Sequence, residues 1–78
     1  MVIKNLKNEE KMVYLTNAEK SVLTLVSKGL NNGEIAKEMI ISISTVKKHL
    51  ESIYLKLSVH NRVQAICSAA RLKLIDLL

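Results

Sequence analysis

The chain has 78 residues, enough for one domain and short of the core that usually surrounds a catalytic cleft. It is 49% hydrophobic with no Phe, Trp or Pro and only two Gly, so its interior must be built from Leu, Ile, Val, Ala and Met, a mixture that favours helices over a sandwich or barrel. The formal charge is +5 and unevenly spread: residues 44–78 carry Lys47, Lys48, Lys56, Arg62, Arg71 and Lys73 against Glu51 and Asp76, whereas residues 1–43 carry six Lys against five Glu.

Such a concentration of cations suits a polyanion, nucleic acid first and an anionic membrane surface second, although a solvated lysine-rich surface gives the same count. Cys67 is the sole cysteine, which excludes an intrachain disulfide, and two separated histidines leave no four-ligand zinc set. Both facts suit a reducing cytoplasm, and neither a metal nor a cofactor is expected. The N-terminus lacks the apolar core of a signal peptide, and no apolar run approaches the roughly 20 residues that cross a bilayer. No paired acids in a cleft, no nucleophile beside a base and no glycine-rich phosphate loop are present, so the chain is not read as an enzyme.

Residues 1–14 mix charges with isolated apolar positions and have no clear cap, which predicts a poorly ordered tail or linker ahead of a domain over 15–78. The first helix opens at Thr16, whose partner Glu19 completes a capping box, with Leu15 placed to staple against Lys20. Val22, Leu23, Leu25 and Val26 form its apolar face, and Gly29 stops it, giving a helix from about Asn17 to Lys28. Asn31 and Glu34 repeat the box, and Ile35, Ala36, Met39 and Ile40 make the buried stripe of a short second helix ending near Met39 or Ile40. Ser42 caps a third helix over Ile43 to Leu57, with Val46, Leu50, Ile53, Tyr54 and Leu57 on one face and Lys47, Lys48, Glu51 and Leu55 on the other. Asn61 and Gln64 form a third box, leading Val63, Ala65, Ile66, Cys67, Ala69 and Ala70 into a last helix that ends near Leu72.

Two short helices joined by Ile40, Ile41 and Ser42, the second cationic opposite its buried stripe, have the helix-turn-helix arrangement. Ala36 is small enough to let the pair approach closely, and Ile41 can plug the space beneath the turn. The expected fold class is therefore all-α with four helices.

Beyond this pattern, Leu15-Thr16, Glu19, Val22-Leu23, Gly29-Leu30, Glu34-Ile35-Ala36, Ser42, Ser44-Thr45-Val46-Lys47, His49-Leu50, Ile53-Tyr54, Lys56-Leu57, Val59, Asn61-Arg62 and Gln64-Ala65 share one order and spacing. In these residues the sequence resembles the LuxR-type (GerE-like) helix-turn-helix domain of bacterial transcription regulators, from Leu15 to Leu74. The resemblance implies that the third helix reads double-stranded DNA and the fourth makes a homodimer contact. It also leaves room for RNA polymerase as a partner. Departures occur at Ala18 and Ser21, where the family has an arginine and a second acid, at Gly33 in place of a polar or basic residue, and at Ser58 in place of glycine. Loss of an ion-pair network around the first helix is expected from the first two, and Ser58 must either adopt the positive φ a glycine would provide or leave the connection to bend differently.

The candidate DNA contacts follow from this arrangement. Lys47 and Lys48 stand where side chains meet base edges, and lysine donates to guanine O6 and N7. Glu51 either accepts from a cytosine amino group or pairs with Lys47 or Lys48. Ser44 and Thr45 lie in the first turn, where hydroxyls and free N–H groups bind a phosphate or simply satisfy the helix start. Lys56, Asn61 and Arg62 stand where the third and fourth helices meet, placed to clamp the next phosphate, with a salt bridge as the alternative for Lys56. His49 and Tyr54 read as packing residues, and Cys67 as a small buried hydrophobe or part of a dimer face. Ile66, Cys67, Ala69, Ala70 and Leu74 offer the apolar surplus for a symmetric dimer or for covering the N-terminal tail. The competing reading from a different class is a protein-interaction module that uses the same fold to bind another regulator or RNA polymerase.

Overall fold

The computed structural model describes residues 13–74. The tail expected over residues 1–14 lies outside them except for Val13 and Tyr14, which carry no regular structure. Four helices follow: α1 over Asn17–Ser27, α2 over Asn32–Met39, α3 over Ile43–Leu57 and α4 over Arg62–Arg71. Among the described residues there is no strand, and no helix is long and apolar enough to cross a membrane.

Each helix starts where a polar side chain takes over a free backbone donor. Thr16 Oγ1 accepts from Glu19 N at 3.0 Å while Glu19 Oε1 accepts from Thr16 N at 2.9 Å, and Asn31 and Glu34 repeat the reciprocal pair at 2.9 Å each. Ser42 Oγ caps α3 through Thr45 N, and Asn61 Oδ1 caps α4 through Gln64 N. The expected third box is only half formed. Gln64 Oε1 reaches one residue further back and accepts from His60 N at 2.8 Å, not from the N–H of Asn61.

All four helices close through left-handed turns, α4 through Lys73 at φ 61°, where Leu74 N donates to Ala69 O and Lys73 N to Ala70 O. After α1, Leu30 N donates to Leu25 O and Gly29 N to Val26 O, with Gly29 at φ 91°. The same pair of bonds ends α2, from Ile41 N to Ala36 O and Ile40 N to Lys37 O, and ends α3, from Val59 N to Tyr54 O and Ser58 N to Leu55 O. Ser58 adopts φ 57°, as its position in place of a glycine requires. Ile40 also sits at φ 57°, and here the sequence reading needs correction. The reversal that sends Ile41 inward against the core turns Ile40 outward, leaving it 90% exposed instead of in the buried stripe.

α1 and α3 each pack on the other three helices, with α3 the more central, whereas the backbones of α2 and α4 do not approach one another. Val22, Leu23 and Val26 of α1, Ile35 and Ala36 of α2, Val46, Leu50, Ile53 and Leu57 of α3, and Ala65 and Ala69 of α4 form one core. Each fully buried Val, Leu or Ile in it contributes about 1.5–3 kcal/mol. With one face of α3 committed to this core, its other face is fixed toward solvent.

Candidate nucleic-acid interface

The outward face of α3 carries Lys47, Lys48, Glu51 and Leu55, all exposed. Lys47, Glu51 and Leu55 follow one another at four-residue steps, about 6 Å apart along the axis. Among the described residues the only ion pair joins Lys56 to Glu19, so Glu51 has no ionic partner in Lys47 or Lys48. The cations of this face are therefore available to an incoming anion. Ser44 is exposed in the first turn beside them, whereas the Thr45 hydroxyl shares a 2.9 Å hydrogen bond with Ser42 and helps to close the cap. A shallow cleft of about 260 Å³ flanks the face, lined by Asn32, Lys47, Leu50, Glu51, Tyr54 and Arg62. His49 is half-buried, and Tyr54 is half-buried against the core.

The basic residues nearer α4 are oriented differently. Lys56 Nζ donates to Glu19 Oε1 at 2.7 Å, and Ser52 Oγ donates to Glu19 Oε2 at 2.6 Å. Burial alone would raise the Glu19 carboxyl, but hydrogen bonds from Lys56, Ser52 and the Thr16 N–H, with the charge of Lys56, hold it down at about 2. Ala18 and Ser21 carry no charge, and α1 is tied to α3 through Glu19 instead, by way of Lys56 and Ser52. Arg62 donates through Nη1 to Asn32 Oδ1 at 3.0 Å and through Nη2 to the Leu30 carbonyl at 2.8 Å. Asn61 uses its side-chain oxygen as the α4 cap.

Sequence reasoning missed two of the three large apolar side chains that the turn and α3 leave exposed. Ile40 at the turn, Ile43 at the start of α3 and Leu55, 82% exposed, are large side chains left in solvent. Leu55 was legible from its spacing on the outward face. Nothing in the periodicity marks Ile40.

On α4, Ala69 is fully buried in the protomer core and drops out of the expected dimer surface. The buried reading of Cys67 also fails, since its thiol is exposed. Ile66, Ala70 and Leu74 are half-buried. Val63, one turn before Cys67, is 69% exposed, so the free apolar stripe of α4 begins earlier than the sequence reading placed it.

A four-helix core whose central helix lends its free, cationic face to solvent, preceded by a short helix and a three-residue turn, defines a helix-turn-helix domain. The sequence profile of the bacterial regulatory proteins of the luxR family (GerE) matches residues 13–69, and the chain belongs to that family. It is 47% identical over 57 residues to the putative HTH-type transcriptional regulator Mb0914c of Mycobacterium bovis, covering 73% of this chain and 6% of that protein. It is also 40% identical over 78 residues to the uncharacterized transcriptional regulatory protein YhcZ of Bacillus subtilis, covering 94% of this chain and 36% of that one. The chain thus spans well under two thirds of the length of these relatives. Its fold superposes on the structure of the transcription factor GerE with a TM-score of 0.78 at 31% identity, covering 82% of this chain and 96% of that one.

Proposed function

We propose that this domain binds double-stranded DNA sequence-specifically as the operator-reading unit of a bacterial transcription regulator, with α3 in the major groove. The observation that carries the reading is the outward face of α3, where Lys47, Lys48 and Glu51 stand exposed, without ionic partners among the described residues, on a helix whose other face fills the core. In that pose Lys47 and Lys48 donate to base edges, Glu51 accepts from a cytosine amino group and repels other sequences, and Ser44 with the α3 N-terminus meets a phosphate. Lys56 and Arg62 each spend donors inside the protein.

The exposed stripe of α4, from Val63 through Cys67 to Ala70, supports a two-fold homodimer. Two recognition helices related in this way require a near-palindromic site with half-sites about one helical turn apart. Such a domain works in the cytoplasm, where bacterial DNA is.

Selection of bound duplexes from a random library tests this directly, and a palindromic consensus is the expected result. The competing reading, an interaction module for another regulator or RNA polymerase, predicts tight protein binding with no selected duplex and no salt-dependent DNA affinity.

A further inference from the structure

We infer that Arg62 is a positioning residue for DNA binding, whose guanidinium locks the first turn of α2 to the first turn of α4; this rests on the DNA-binding reading above. The sequence placed Arg62 among the phosphate contacts, but its fork points into the protein. One arm holds the Leu30 carbonyl and the other holds Asn32, so the two bonds bracket Asn31, the residue that caps α2. α2 and α4 have no backbone approach to each other, and among the described residues no other side-chain hydrogen bond links them. In a helix-turn-helix the first helix of the pair crosses the DNA backbone while the second enters the groove, so the start of α2 has to be held relative to α3 and α4. A planar guanidinium does this with two donors in fixed relation, and an ammonium cannot.

The charge-retaining substitution separates positioning from phosphate contact. Arg62→Lys, Arg62→Ala and Asn32→Ala are compared with wild type on the selected duplex across a salt series, well below each variant's melting temperature. Positioning predicts that Arg62→Lys loses about as much affinity as Arg62→Ala, on the order of tenfold, with the salt slope unchanged. It also predicts that Asn32→Ala loses less, and that adding it to Arg62→Ala costs nothing further. In the absence of DNA, hydrogen exchange at the amides of residues 32–36 should rise in Arg62→Lys.

Wild-type binding by Arg62→Lys, together with a slope shallower by about one in Arg62→Ala, overturns the inference in favour of a phosphate contact. Unchanged exchange in Arg62→Lys overturns it whether or not the wild type binds DNA. Raised exchange with no duplex bound by the wild type rejects the DNA-binding reading instead, and leaves the tie without a role in recognition.

Discussion

Lys56 Nζ lies 2.7 Å from Glu19 Oε1, and this contact joins α3 to α1 through a carboxylate only 6% exposed, while the lysine remains 36% exposed. Ser52 and the Thr16 N–H occupy the rest of the carboxylate, so one acid caps its own helix and ties down the recognition helix. Removing Glu19 leaves these donors unpaired. Glu19→Ala should destabilise the domain by roughly 2–3 kcal/mol, below the range for pairs buried at both ends because Lys56 regains water. Denaturant unfolding of the variant measures it.

The same contact sets an acid limit. Glu19 is held at about 2 against 4.5 for the free group, so between these values the unfolded chain binds the proton more readily than the folded one. The stabilisation is complete above about pH 4.5 and disappears as pH falls toward 2. Urea midpoints at several pH values should fall through this window in wild type and fall less in Glu19→Gln, which has no carboxyl to titrate.

Ile40 and Ser58 both close helices at φ 57°, a conformation that costs an L-residue about 1–2 kcal/mol and glycine nothing in steric terms. Ile40 is so exposed that replacing it loses little burial. Ile40→Gly and Ser58→Gly should each stabilise the domain by roughly 0.5–1 kcal/mol, a rise of a few degrees in Tm, after glycine's extra chain entropy is deducted. Ile40→Ala, which keeps a Cβ, should gain less. Thermal melting decides between them.

What was legible in the sequence were the features with local causes. Ser42 followed by a stripe at helical spacing marks α3 from end to end, whereas the positive φ of Ser58 was foreseen only because the family it resembles has glycine there. Ile40 was misplaced because a left-handed closure interrupts the period that had been counted through it. The salt bridge held open for Lys56 could not be given a partner, and Arg62 was read as facing DNA, because their partners are distant in the chain, Glu19 being 37 residues away and Leu30 and Asn32 being 32 and 30. Ala69 was assigned outward because α4 is apolar on more than one face, and only packing decides which face is inside.

The two faces of α4 should separate in mutants. Ala69→Leu forces extra volume into a filled core and should cost about 1–3 kcal/mol. Val63→Ser lies in solvent and should leave stability within about 0.5 kcal/mol while weakening the pairing of protomers on DNA. Melting curves and the stoichiometry on a palindromic duplex read the two effects independently.

Gly33 offers a gain of function. A Cβ there would meet Asn31 Oδ1 at 3.4 Å and Ile43 Cδ1 at 3.9 Å, both ordinary contacts, and the position is exposed in the first turn of α2. Gly33→Ala should stabilise the helix by about 0.5–1 kcal/mol. Gly33→Lys should tighten duplex binding and steepen the salt dependence by about 0.9 for one added phosphate contact, seen in a titration at several salt concentrations.

The most direct test of the central claim is the binding of the selected duplex and of a scrambled duplex to wild type and to Lys47→Ala/Lys48→Ala across a salt series. If the outward face of α3 reads the groove, the double variant loses its preference for the selected sequence, and its salt slope falls by as much as about 0.9 for each lysine that met a phosphate. Undiminished affinity and selectivity in a folded double variant would contradict the account and place recognition elsewhere on the domain.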